Sequence, residues 1–204
     1  MSRGARARLF VAVDPPPEVC RELGAWARGL AGDLDLRSAR GSRRGLRVLD
    51  PDSLHLTLCF LGARPVAEID TLAAALGSWA GELGELRVGA PLWLPPRRPR
   101  ALAVEVHDED GELTVLQADV ARAIAAASDW GPERRRFRAH VTLARIGAGV
   151  AIRAGEPELP PTPALRFTPE AVVLYRSWLS PSGASYEPLA SGYLEPRAGP
   201  SPPG

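Results

Sequence analysis

The sequence predicts an α+β fold. Short apolar segments typical of strands alternate along the chain with segments of helical periodicity. The strand segments are not the continuous apolar runs of a doubly wound parallel sheet, and no Gly-x-Gly-x-x-Gly segment occurs. The chain also closes on a pattern typical of an antiparallel hairpin. A mixed fold of strands and helices accounts for these observations better than a parallel α/β fold.

In the first half of the chain, each element is bounded by residues that end strands or begin helices. An apolar strand at 8–13 stops at Asp14, and the prolines that follow suit the first turn of a helix over 18–30. The remaining elements are strands at 46–49 and 54–61 on either side of a turn, a second helix at 66–79 and an extended stretch at 83–94.

In the second half, a strand at 101–106 leads through an acidic turn into a third helix. Apolar residues at helical spacing place that helix at 112–127. Another strand is predicted at 137–146, before a long proline-rich connection. The closing hairpin consists of strands at 171–179 and 185–194.

Length and composition suit one ordinary domain. The chain has 204 residues, of which 45% are hydrophobic. We expect residues 1–196 to form a single domain and 197–204, rich in Gly, Pro and Ser, to be a disordered tail. The apolar runs are shorter than the ~20 residues of a spanning helix, and the one near the N-terminus is too short for a signal peptide. The expected location is therefore the cytoplasm, and the expected state is a monomer.

The absence of lysine and asparagine excludes several chemistries. All 25 residues counted as Lys or Arg are arginines. Schiff-base chemistry, lysine adenylylation and the Walker phosphate loop all need lysine, and a Cys-His-Asn protease needs asparagine. Codon bias is the simplest cause of both absences. Arginine clusters at 37–47, 97–100 and 134–138 are local basic patches that can bind phosphate.

Two of the three histidines stand in nearly identical tetrapeptides, HLTL from His55 and HVTL from His140, 85 residues apart. Strand alternation places each imidazole beside the threonine hydroxyl two residues on and opposite an apolar face. If the repeat reflects two similar halves packed around a cleft, the imidazoles face one another. The same alternation puts Phe60 on the buried face and points Arg145 away from His140.

Two imidazoles across a cleft suit a reaction that needs a base and an acid together. With a pKa near 6.5, one ring can be neutral while the other is protonated near pH 7. Phosphodiester cleavage is such a reaction, and threonine hydroxyls can bind the non-bridging oxygens. A metal site is the competing interpretation, but neither motif contains the carboxylate that a third ligand would require. His107 lies beside an acidic turn and is expected to be exposed.

These segments resemble the RNA 2′,3′-cyclic phosphodiesterases of the two-histidine phosphoesterase superfamily, whose bacterial members were long called 2′-5′ RNA ligases. The resemblance covers about residues 8–196 and rests on three segments: RLFVAV from Arg8, LHLTLCFLG from Leu54 and FRAHVTLAR from Phe137. It implies a bilobal fold with pseudo-twofold symmetry. Two antiparallel-rich sheets flank a central cleft, with the helices outside, and each lobe contributes one motif.

The resemblance implies a metal-independent, cofactor-free hydrolysis of 2′,3′-cyclic phosphates on RNA ends or small cyclic nucleotides, giving 2′-phosphomonoesters. It assigns His140 as the base that activates water and His55 as the acid. Thr57, Thr142 and Arg145 are the implied phosphate-binding residues. Since strict alternation points Arg145 away from His140, its role requires a bulge, a strand twist or the length of its side chain. Where the family usually has proline before the second histidine, this chain has alanine.

The roles of some neighbouring residues are left open by the sequence. Arg136 and Arg138 are either a solvent-exposed face or RNA contacts. Tyr175, Ser177 and Tyr186 fall in the closing hairpin, where packing is the simpler expectation. Two other functions also stay open: ATP-independent 2′-5′ ligation by reversal of the same reaction, and a non-catalytic nucleotide-binding module. ATP-dependent ligation is excluded because the chain has no lysine to adenylylate.

Overall fold

The fold is an α+β fold, as the sequence predicts. A computed structural model describes residues 5–34, 45–133, 135–147, 150, 152, 157–180 and 183–197. Within these residues the chain forms ten β-strands and three α-helices. Most of the arginine cluster at 37–47, and the predicted tail after Arg197, lie outside the described residues.

All the predicted helices and strands are present, most of them with different bounds. The strands are β1 (Arg6–Val13), β2 (Leu46–Val48), β3 (Leu56–Pro65), β4 (Ala80–Leu83), β5 (Leu86–Leu94), β6 (Ala101–His107), β7 (His140–Ile146), β8 (Arg166–Phe167), β9 (Ala171–Ser180) and β10 (Gly183–Pro196). The helices are α1 (Pro17–Asp33), α2 (Ile69–Gly77) and α3 (Glu112–Ala127).

The differences from the predicted bounds have local causes. The extended stretch at 83–94 belongs to two strands, β4 and β5, that have different neighbours. The second helix begins as a 3₁₀ turn, Val66–Glu68, before the α-helical part. Strand β8 has two residues and is too short to give a pattern in the sequence.

The strands form one continuous sheet where two sheets were expected. Its order is β4-β10-β9-β1-β3-β7-β6-β5-β8, with β2 beside β7. Between β3 and β7, however, the register consists of a single pair, Leu56 with Val141. The sheet therefore has two halves that meet at one residue pair. Leu56 and Val141 occupy equivalent positions of the 85-residue repeat, in accord with the pseudo-twofold symmetry, which stays a prediction.

Equivalent β-bulges interrupt the two strands that carry the histidine motifs. In β3, Leu58 is skipped by the pairing with β1, and in β7, Leu143 is skipped by the pairing with β6. Leu58 and Leu143 are also equivalent positions of the repeat. In each strand two successive residues are then buried, which breaks strict alternation. Side chains beyond each bulge therefore point to the face opposite the one predicted.

One hydrophobic core supports both halves of the sheet. It contains buried residues of β1 and β9 together with residues of β6, β7 and α3. Helix α1 packs on β2 and β7, whereas α2 and α3 contact each other and strands of the half of the sheet that contains β3. In the part of the chain that the structure describes, no helix is both long and apolar enough to cross a membrane.

Candidate active site

A cleft of about 1050 Å³ brings the two histidine motifs together. It lies where β3 and β7 meet, so both halves of the sheet contribute to its walls. Its lining residues include Arg8, Phe10, His55, Thr57, Phe60, Ser177 and Tyr186 on one side and Arg28, Arg47, His140, Thr142 and Arg145 on the other. The five predicted site residues, His55, Thr57, His140, Thr142 and Arg145, are therefore neighbours in one cleft.

The two imidazoles are held in the same way. Nδ1 of His55 donates to the carbonyl oxygen of Ser53 over 2.8 Å, and Nδ1 of His140 donates to the carbonyl oxygen of Arg138 over 2.7 Å. Because a carbonyl oxygen can only accept, each of these bonds places the proton of a neutral ring on Nδ1. Nε2 of each ring is then the nitrogen that can take or give a proton at a bound molecule.

The side chains of each motif are also related by the strand pairing. Leu56 pairs with Val141 in an antiparallel register, and His55 and Thr57 flank Leu56 as His140 and Thr142 flank Val141. All four of these side chains line the cleft beside this junction.

An aromatic cluster surrounds His55. The ring of Phe10 packs at 4.7 Å between centroids, and Tyr186 meets the imidazole edge-on at 5.0 Å. Tyr175 stacks on the other side of this cluster against Phe10, and its hydroxyl donates to the carboxylate of Asp14. Burial lowers the pKa of His55, and the nearby charges of Arg145 and His140 lower it further.

Strict strand alternation fails at Phe60 and Arg145 for the same reason; the prediction that Phe60 is buried was wrong, whereas the bulge that a cleft-facing Arg145 requires is present. Phe60 was expected on the buried face, yet 55% of its side chain is exposed and it lines the cleft. Arg145 was expected to point away from His140, yet it lines the same cleft. The bulges at Leu58 and Leu143 shift the alternation by one residue and turn both side chains towards the histidines.

The closing hairpin of β9 and β10 contributes side chains to the cleft as well as to the packing of the fold. Ser177 and Tyr186 line the cleft, whereas Tyr175 has the packing role expected from the sequence. Arg8 and Arg28 also line the cleft, although sequence reasoning did not select them. Arg28 gives no signal in the sequence, because only the packing of α1 on β2 and β7 determines which of its faces reaches the cleft.

A second groove of about 600 Å³ adjoins the cleft and shares Thr57, Phe60 and His140 with it. Arg136 and Arg138 both lie along this groove. Arg138 pairs with Glu105, in agreement with a solvent-exposed ion pair on that face.

The third histidine, His107, does not line the cleft. It lies at the end of β6, near the carboxylate of Glu105. Among the described residues, no three His, Cys, Asp or Glu side chains come together as a metal ion would require. Burial raises the pKa of both thiols, Cys20 and Cys59, to about 11, so neither is a reactive thiolate near neutral pH.

No protein-family model matches the sequence of this chain. The chain is 36% identical over 104 residues to an RNA 2′,3′-cyclic phosphodiesterase of Aeropyrum pernix, a match covering 50% of this chain and 57% of that protein. It is 29% identical over 143 residues to a protein of the same name from Archaeoglobus fulgidus, covering 68% of this chain and 72% of that one. The predicted resemblance is confirmed. The first match spans little more than half the length of that relative.

Solved structures share the fold over nearly the whole chain. The crystal structure of TT0787 of Thermus thermophilus is 27% identical with a TM-score of 0.70, covering 94% of this chain and all of that one. Escherichia coli LigT complexed with 3′-AMP is 22% identical with a TM-score of 0.72, covering 93% and 99% of the two chains. The likeness to these solved structures therefore covers the α+β fold over nearly the whole chain.

Proposed function

We propose that this protein hydrolyses 2′,3′-cyclic phosphate ends of RNA or of small nucleotides to 2′-phosphomonoesters, without a metal ion. The observation that carries the proposal is the pair of imidazoles in one cleft, each bonded through Nδ1 to a carbonyl two residues earlier. Similarity to two proteins named RNA 2′,3′-cyclic phosphodiesterase supports the choice of substrate.

In the proposed reaction, Nε2 of neutral His140 takes a proton from water while the water oxygen attacks phosphorus. The bond between phosphorus and O3′ breaks, and Nε2 of protonated His55 donates its proton to the departing oxygen. The products are a 2′-phosphomonoester and a 3′-hydroxyl. One imidazole has gained a proton and the other has lost one, so the pair returns to its starting state by exchanging protons with solvent.

The hydroxyls and the guanidinium stabilise the charge on the phosphoryl oxygens. Thr57 and Thr142 each provide an O–H donor beside an imidazole, and Arg145 provides a cation in the same cleft. These donors are held on strands, so they need little rearrangement as negative charge develops on the non-bridging oxygens. This supports a role for all three in binding the phosphate.

The proposal is tested by incubating the full-length protein with an oligonucleotide ending in a 2′,3′-cyclic phosphate, in the presence of EDTA. We expect a 2′-phosphate product. His55→Ala and His140→Ala should each lower kcat/KM by ~10²–10⁴-fold, and the double variant should be little worse than the poorer single one. His107→Ala is the matched control and should retain wild-type activity, because His107 does not line the cleft.

Three results contradict the proposal. Turnover only with added metal shows a metal-dependent reaction. Binding of the oligonucleotide without turnover shows a nucleotide-binding module. Formation of a 2′-5′ linkage with an added 5′-hydroxyl oligonucleotide, faster than hydrolysis, shows that ligation is the main reaction.

A further inference from the structure

The cleft is larger and more basic than one cyclic phosphate requires. Its volume of about 1050 Å³ lies at the upper end of small-molecule sites, which typically enclose ~300–1,000 Å³. Among its described lining residues are four arginines, Arg8, Arg28, Arg47 and Arg145, and a single carboxylate, that of Asp50. Only Arg145 is needed at the phosphate between the histidines. We name the other three, Arg8, Arg28 and Arg47, the outer arginines.

One outer arginine, Arg8, lies well away from the histidines, and another, Arg47, lies beside Arg145. Ala12 of β1 pairs with Thr57, and Arg8 lies four residues earlier on that strand, about 13 Å away at 3.3 Å per residue. On the other wall, Arg47 of β2 pairs directly with Arg145 of β7. Two cations directly opposite on a sheet repel one another, so an anion bound between or beside them is favoured.

Arg28 joins these residues from helix α1. A Cβ at Gly24 would lie 2.9 Å from Cγ of Pro51 and 3.3 Å from Nη1 of Arg28. The Arg28 side chain thus lies where α1 contacts the turn just before His55. Arg8 and Arg28 are exposed, and within the described residues neither has a carboxylate partner. Both cations are available to a ligand.

We propose that the cleft binds the 3′ end of an RNA strand, with the outer arginines contacting the backbone phosphates that precede the cyclic phosphate. This rests on the proposed function and specifies its substrate as an oligonucleotide rather than an isolated cyclic nucleotide. Guanidinium groups match phosphate oxygens in geometry and charge, and contacts to successive phosphates are independent of base sequence.

The second groove is a weaker candidate for binding the RNA strand, because carboxylates pair with some of its arginines. Two of its arginines, Arg122 and Arg138, pair with Asp119 and Glu105, and Glu133 also lines it. Ion pairing thus offsets two of the four arginines that line this groove, whereas Arg8 and Arg28 of the main cleft have no carboxylate partner among the described residues. The strand is therefore assigned to the main cleft.

The test compares kcat/KM for three substrates: uridine 2′,3′-cyclic phosphate, its 5′-phosphorylated form, and a tetranucleotide ending in a 2′,3′-cyclic phosphate. We expect kcat/KM for the tetranucleotide to exceed that for the nucleoside by at least about tenfold. This ratio corresponds to the free energy of one good charge-assisted hydrogen bond. The 5′-phosphorylated form should lie between them. Arg28→Ala should remove most of this preference and reduce the salt dependence of the tetranucleotide reaction, by a slope of about 0.7 for each phosphate that the variant no longer binds.

Arg21→Ala is the matched control. Arg21 is exposed on the same helix, two turns before Arg28, and does not line the cleft. It should leave the preference at the wild-type value. Equal kcat/KM for nucleoside and tetranucleotide in the wild type overturns the proposal. So does a preference that Arg136→Ala abolishes and Arg28→Ala retains, because the strand then follows the second groove.

A binding measurement separates this proposal from the proposed function. Fluorescence anisotropy with a tetranucleotide ending in a 2′-phosphate requires no turnover. If no cyclic phosphate is hydrolysed, the proposed function is wrong. The anisotropy measurement then still tests whether the cleft binds an RNA strand. Affinity that exceeds that of uridine 2′-phosphate and falls at least about fivefold in Arg28→Ala supports strand binding. Equal affinities for the two ligands overturn it.

Discussion

The aromatic packing around His55 determines how readily this residue carries a proton. Phe10 and Tyr186 remove water from two sides of the imidazole, and burial is the main reason that its pKa is lowered. The bond from Nδ1 to Ser53 opposes this effect by favouring the charged ring. In the free protein at neutral pH the ring is therefore mainly neutral. A bound phosphate anion favours the protonated form that an acid requires.

The lowered pKa of His55 predicts a characteristic pH dependence. If His55 is the acid, kcat/KM for a cyclic phosphate should fall as pH rises through a value below the usual histidine pKa of 6.5, because kcat/KM reports the free protein. The corresponding fall in kcat should come at higher pH, because the phosphate raises the pKa of the ring. Steady-state kinetics from pH 4 to 9 measure the fall in kcat/KM and the fall in kcat.

An aryl phosphodiester serves as the control substrate for this profile. Its phenolate leaves without a proton, so its kcat/KM should lack the His55 limb, and His55→Ala should retain much of its activity towards it. His140→Ala should not be rescued. The reverse pattern, rescue of His140→Ala alone, assigns the acid to His140 and contradicts the order proposed above.

At the scale of elements, the position of the site depends on two irregularities and one close contact. The bulges at Leu58 and Leu143 turn Phe60 and Arg145 into the cleft. The close contact is between α1 and the turn Pro51–Ser53, which ends two residues before His55. Gly24 permits this approach because it has no Cβ.

Paired glycine substitutions on α1 test the importance of that contact. Gly24→Ala places a Cβ 2.9 Å from Cγ of Pro51, so the helix or the turn must move. We expect kcat/KM to fall by about tenfold or more, because small displacements of catalytic groups are costly. Gly29→Ala has nothing within 4 Å of the new Cβ and should stabilise the protein by about 0.5–1 kcal/mol, with activity unchanged.

Thermal unfolding and kinetics on the two variants provide the measurement. Equal activity of Gly24→Ala and Gly29→Ala contradicts the idea that the contact between α1 and the turn positions His55.

At the scale of the molecule, two half-sheets share one core although they share a single residue pair. Leu56 of that pair is fully buried, and the core around it draws residues from both halves. Because the apolar contacts are continuous across the junction, neither half can expose its core without affecting the other. This organisation supports the proposal that residues 1–196 form one domain.

We therefore expect a single cooperative unfolding transition. Far-UV and near-UV circular dichroism should give coincident denaturant curves. Leu56→Ala should lower the free energy of unfolding by about 2–5 kcal/mol without splitting the transition, whereas Val115→Ala, on a side chain that is 61% exposed, should change it by less than about 0.5 kcal/mol. Two separate transitions in the wild type would show that the halves fold independently.

Local sequence pattern was sufficient to predict the fold class, most of the helices and strands, and the two histidine motifs. These depend on local periodicity and on residue types a few positions apart, which the chain displays directly. The third helix, Glu112–Ala127, agrees with its predicted bounds for this reason. The resemblance carried by the motifs also followed from sequence, since identity and spacing suffice to define it.

Which side chains share the cleft depends on contacts that are long-range in sequence. A bulge depends on how a strand pairs with its neighbour, so strict alternation assigned Phe60 and Arg145 to the wrong faces. The face of α1 that reaches the cleft depends likewise on packing against β2 and β7, so Arg28 was not predicted. Local pattern specifies what each element is, whereas long-range pairing and packing specify what its side chains meet.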